Sequence, residues 1–197
     1  MKYFFSVIFF LFFISNVNAS EKEDEKEEFK AWSSNQNQEA ILSYFEYVNS
    51  RLKEDMDVID LFIDRHEDAR ECKKEIFTIP PKSIWEQIVR PLKLLQELVS
   101  SEILGEYIIL STFRFEEANK CMGGAKHSKH LNNAAVDFKI AYDEDVEKAL
   151  CSFWRKNGKR YNMGLGAYGD GYYHIDTSGF RTWGVGYGTK SSVCNVK

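Results

Sequence analysis

Residues 134–142 read AAVDFKIAY, a short apolar run broken near its middle by Asp137. Its length and its aromatic and β-branched content suit a strand. A carboxylate in a buried strand is costly unless it is paired or bound to a cation. The fold must therefore bring a compensating group to Asp137. The chain has four histidines, His66, His127, His130 and His174. His130 lies seven residues before Asp137 in SKHLNNAAVDF, and His174 lies in the aromatic segment YYHIDTSGF. Two imidazoles and a carboxylate suit three corners of a tetrahedron around Zn²⁺, with the fourth left to water, as in catalytic rather than structural zinc sites. The expected ligands are His130, Asp137 and His174.

The remaining chemistry narrows the setting. Met1 and Lys2 precede an apolar run over 3–14, and Val17-Asn18-Ala19 ends it in small residues. This reads as a secretory signal over 1–19, too short for a membrane span. The mature chain is expected to begin near Ser20, in the periplasm or outside the cell, with no membrane anchor left after cleavage. Loss of Lys2 leaves 25 basic residues against 30 acidic ones, a balance that argues against nucleic acid as partner. Cys72, Cys121, Cys151 and Cys194 all survive cleavage and read as two disulfides. Three pairings are open; Cys72–Cys121 with Cys151–Cys194 is the favoured one. No C-x-x-C pair points to a redox site or a zinc ribbon.

Along the chain, 20–36 reads as a flexible charged segment because of EKEDEKEEFK. Residues 37–80 read as helical, with apolar stripes through Ile41, Tyr44, Phe45, Val48 and Leu52, then Met56, Ile59, Phe62 and Ile63. The prolines of IPPK, 79–82, set a boundary, and 81–197 forms the expected catalytic domain. Ser83 and Glu86 have capping-box spacing for a helix that Pro91 kinks or splits. EYIILST, 106–112, reads as a strand. Asp143 is placed to cap a helix over 144–156, with Gly158 as its left-handed stop. The glycine- and aromatic-rich tail suggests short antiparallel strands. The fold class is α+β, helices on one face of a small, mainly antiparallel sheet, preceded by a helical segment.

Residues 111–138, STFRFEEANKCMGGAKHSKHLNNAAVDF, and 172–183, YYHIDTSGFRTW, resemble the zinc D-alanyl-D-alanine carboxypeptidase family of bacterial cell-wall peptidases, which shares its fold with the hedgehog signalling domain. The first motif rests on Ser111, Phe113 and Arg114, then Gly123 and Gly124, then Ser128, His130 and Asp137. The second rests on His174, Asp176, Arg181 and Trp183. The resemblance covers roughly 83–185 and leaves out 20–80. It implies zinc on His130, Asp137 and His174, and peptidoglycan stem peptides as substrate. It also implies Arg114 as the group that meets a substrate carboxylate or the developing oxyanion, as a planar guanidinium fork suits. Ser128 and His127 are then substrate-binding candidates.

Two positions depart from the family pattern. Asn133 replaces a glycine three residues after the first ligand, and asparagine tolerates the left-handed region such a turn needs. Gly171 stands where some relatives carry an acidic general base. Asp176 becomes the first candidate for that role, on the same strand face as His174, with Asp170 second. An alternative follows from Gly171: a zinc-bearing binding module of the same fold without catalysis. The N-terminal helices are expected to recruit a partner or to act as a lid.

Overall fold

A computed structural model describes residues 22–72 and 75–195; the expected signal sequence lies outside the described residues. The chain forms two compact units, Met1–Ile41 and Leu42–Lys197.

In the first unit, residues 22–34 form a helix, labelled α1. The charge run, expected to be a flexible segment, is helical over 22–34. Its Glu and Lys residues are good helix formers and pair one turn apart, as in Lys26–Glu23 at 3.3 Å and Lys30–Glu27 at 3.7 Å. The Asn37 side chain then accepts from Ala40 N at the start of α2 (Gln38–Asn49).

The second unit is built on a five-stranded sheet in the order β1-β2-β4-β3-β5. The strands are β1 (Ile108–Ser111), β2 (Ala135–Lys139), β3 (Gly164–Ala167), β4 (Tyr172–Asp176) and β5 (Arg181–Trp183). All pairings are antiparallel except β3 with β5. This is the expected α+β class. Val136, Phe138, Tyr173 and Ile175 are buried on one face of β2 and β4, against which α4 (Val89–Ser100) packs. The helix presents Leu92, Leu95 and Leu98, all fully buried. Strand side chains alternate, so Asp137 and His174 project from the opposite face.

Several local expectations are corrected. Residues 82–88 form a 3₁₀ segment whose cap position is Pro81, with no side-chain cap, so the Ser83/Glu86 box does not form. Pro91 sits in the first turn of α4, where its missing N–H leaves no helical bond unmade. The second helical stretch shrinks to a 3₁₀ turn, Ile59–Leu61. Beyond it the chain runs along the sheet edge, with bridges Ile63↔Phe77 and Asp64↔Ser111 and an Arg65 N–H to Leu110 O bond of 2.7 Å. The 63–65 segment thus pairs with β1 across the boundary expected near 80. The short helix α3 (Ala69–Cys72) lies between residues 65 and 77, and α5 (Glu116–Cys121) lies between β1 and β2.

Asp143 caps α6 (Glu144–Tyr161) through Asp145 N and Val146 N, as expected. The helix runs through Gly158, however, and stops at Asn162, which adopts φ 49°. Asn133 adopts φ 52°, so the left-handed turn survives without glycine. The disulfides are Cys72–Cys121 and Cys151–Cys194, the favoured pairing. They close loops of 49 and 43 residues, each worth about 4 kcal/mol in the chain-entropy picture.

Candidate metal centre

The sheet register assembles the centre. Asp137 on β2 lies opposite His174 on β4 and Ser111 on β1, and His174 lies opposite Gly166 on β3. His130 enters from the 3₁₀ turn Lys129–Asn132, which the left-handed Asn133 closes so that the chain can turn directly into β2. His130, Asp137 and His174 are all buried, and their ligating atoms lie within 4.8 Å of one another. The structure thus brings the three expected ligands together as a group that could hold a metal ion.

Hydrogen bonds fix how each ring faces inward. His130 Nδ1 lies 2.9 Å from Thr112 O, which can only accept, so Nδ1 carries the proton and Nε2 is bare. That bare nitrogen sits 3.0 Å from Asp137 Oδ2. Burial pushes the His130 pKa down, which keeps the ring neutral although Asp137 pulls the other way. An acceptor thus faces an acceptor among buried side chains, an arrangement that a cation between them relieves. The donor set, two imidazole nitrogens and one carboxylate, is that of catalytic zinc, and these residues fit the ion.

His174 Nδ1 lies 2.7 Å from Asp137 Oδ1 and 3.1 Å from His130 Nε2. Its far nitrogen, Nε2, lies 3.1 Å from Asp176 Oδ2. Burial works against protonation of this ring, but Asp137 and Asp176 outweigh it and raise its pKa to about 9. Burial would likewise raise the Asp137 carboxyl, yet the two imidazoles hold it well below the usual carboxylate range.

Asp176, the first candidate for a general base, stands behind the His174 ring. It is fully buried behind His174, on the side of the ring away from Asp137. Arg181 grips it through two bonds, at 3.0 and 2.6 Å, and Ser178 N donates to it at 2.8 Å. Burial would raise its pKa, but His174 and Arg181 bring it to about 2. A carboxylate so placed can aim the His174 ring. Asp170, the second candidate, is exposed in the β3–β4 turn. Nor can position 171 carry an acid: Gly171 has φ 80°, and a Cβ there would lie 2.2 Å from Ile140 O.

Sequence reasoning missed the contribution of 64–66. Asp64 is buried and accepts from Arg114 Nε at 3.0 Å. His66 Nδ1 lies 2.7 Å from Asp64 Oδ1, and His66 Nε2 lies 3.3 Å from Asp137 Oδ2. Burial lowers the His66 pKa, but Asp137 and Asp64 more than compensate and raise it to about 9. The D-x-H spacing on an extended edge was the available signal; the helical reading of 56–63 concealed it.

Arg114 is buried, with one edge on Asp64 and its Nη2 3.8 Å from Asp137 Oδ2. It lines two adjoining cavities, of about 260 and 360 Å³, that share Arg114, Gly124, Asp137, Tyr168 and Tyr187. The larger also reaches His130, His174 and Trp183, and the 126–129 segment with His127 and Ser128. His127 is exposed and Ser128 half-buried, so both stand on the cavity wall rather than among the ligands. Gly124 is required there: a Cβ would strike the Asn119 carboxamide at 2.2 Å, and that carboxamide holds the loop through Ala125 O.

Residues 67–176 match the family model described as Peptidase M15. No curated protein and no solved structure matches the chain.

Proposed function

The chain belongs to the Peptidase M15 family of metallopeptidases, and from that premise we propose that it is an exported zinc D,D-peptidase that hydrolyses peptidoglycan stem peptides. The observation that carries this reading is the bare His130 nitrogen facing the Asp137 carboxylate, with His174 aimed at the same point, on the wall of an open cavity. Zinc, when bound, supplies a Lewis acid and activates water near neutral pH.

The chain's own residues then have separate tasks. Thr112 O and Asp176 orient the two ligand rings from behind. Arg114, preset by Asp64, lines the cavity, where it meets the substrate carboxylate or the developing oxyanion. Lys126 and Lys129 line the same wall as Ser128 and His127, which suits a peptide bearing carboxylates. Two disulfides fit a periplasmic or extracellular setting.

Incubation of the zinc-loaded mature protein with purified muropeptides tests the reading. Loss of a terminal or bridging D-residue, abolished in His130→Ala, is the expected result. Equal products from the wild type and His130→Ala would refute hydrolysis at this centre. Bound zinc with no turnover on any muropeptide would favour the non-catalytic binding module instead.

A further inference from the structure

A second concavity, of about 600 Å³, shares no lining residue with the cavities at the metal centre. Three segments and Thr177, just after β4, build it. Arg51, Leu52 and Lys53 follow α2; Arg90, Lys93, Leu94, Gln96 and Glu97 come from α4; Arg160, Tyr161 and Asn162 end α6. Five cations therefore converge on one groove, although the whole chain carries a formal charge of -4. Among the described residues, none of the five forms an ion pair; every salt bridge lies elsewhere. The single carboxylate, Glu97, lies against the Tyr161 hydroxyl.

The groove is also preformed. Gln96 ties the 53–54 backbone to α4, accepting from Lys53 N at 3.1 Å and donating to Glu54 O at 2.6 Å. Arg51 stacks over the Tyr47 ring at 3.7 Å and donates to Tyr47 O, so its guanidinium is held without an acid. Arg160 rests near the Tyr161 ring. Arg90 and Lys93 stand one turn apart on the same helix, a like-charge arrangement that costs stability. Holding unneutralised cations together makes physical sense where an anion from outside completes them.

We propose that this groove binds a linear phosphate polymer. Donors reach the groove from three chain segments, and the non-bridging oxygens of a tetrahedral phosphate accept from several directions, whereas a planar carboxylate is met along its edge. A concave site admits a flexible chain more readily than a flat bilayer. The one aromatic lining residue, Tyr161, is stacked on Phe153, so the groove has no platform for nucleobases.

The test is calorimetric titration of the full mature chain with medium-chain linear polyphosphate across a salt series. Because polyphosphate also chelates metal, His130→Ala is titrated in parallel and is expected to bind as the wild type does. Arg90→Ser/Lys93→Ser, two exposed positions, is expected to weaken binding at least about tenfold at low salt and to flatten the logarithmic salt slope by about two. Arg160→Ser, on another element, is expected to flatten it by about one. Poly-glutamate and phosphatidylglycerol vesicles are expected to bind more weakly than polyphosphate, and oligothymidylate no better than poly-glutamate. Four results would each overturn the proposal: no binding, groove variants indistinguishable from wild type, loss of binding in His130→Ala, or equal affinity for poly-glutamate or the vesicles.

Discussion

Asp176 stands behind His174: the ring turns Nδ1 to Asp137 at 2.7 Å and Nε2 to the Asp176 carboxylate at 3.1 Å. A carboxylate in that position sets the tautomer and basicity of a ligand imidazole, and loss of such partners weakens metal binding by about 10–100-fold. Asp176→Ala is therefore expected to lower zinc affinity by that range in competition with a chromogenic chelator. Much of its activity should return at saturating zinc. Unchanged zinc affinity together with lost turnover would make Asp176 a proton carrier instead.

The metal-free centre holds a proton that zinc must displace. The His174 pKa is raised to about 9, so at pH 7 its Nδ1 is protonated toward Asp137. A raised pKa means the proton is bound below about pH 9, and a metal competes with it there. Zinc binding at pH 7 should release close to one proton from His174, and affinity should rise with pH until about 9. Calorimetry in buffers of different ionisation enthalpy reads this directly. Identical heats in all buffers would show that the ring is already neutral.

Asn133 does more than tolerate a left-handed turn. Its amide donates to the Tyr44 hydroxyl at 2.9 Å, and both side chains are fully buried. Glycine, the residue many relatives carry, would keep the turn but leave the phenol unpartnered. Asn133→Gly is expected to destabilise the fold by about 1–3 kcal/mol. Chemical denaturation measures it, and a neutral or stabilising result would show that the Tyr44 contact contributes nothing.

The candidate trio was legible because each member is an anomaly in its own segment, an acid or imidazole in an apolar strand or beside a tight turn. The alternation of β2 and β4 then dictates that Asp137 and His174 share a face. What stayed hidden depends on pairing across long separations. The approach of Asp64 to Ser111 is invisible in a segment whose apolar spacing imitates a helix. The fate of Asp176 turned on which nitrogen of His174 faces the centre, a matter of ring rotation that sequence does not encode locally. Gly158 resembled a helix stop, but Asn162, four residues on, took the left-handed position.

The Cys72–Cys121 bridge joins the segment after His66 to the end of α5, just before the Gly123–Gly124 loop on the cavity wall. Cys72→Ser/Cys121→Ser is expected to lose about 4 kcal/mol of stability, with a larger fractional loss of activity than Cys151→Ser/Cys194→Ser at a temperature where both stay folded. Equal activity losses would show that this bridge has no special bearing on the cavity.

The central claim is that two imidazoles and one carboxylate grip a single divalent ion. Elemental analysis of the purified mature protein, beside Asp137→Ala and His130→Ala, tests it most directly. The account predicts one zinc per wild-type chain and a near-complete loss in both variants. A wild type that takes up no zinc, or an Asp137→Ala variant that retains a full equivalent, would contradict it.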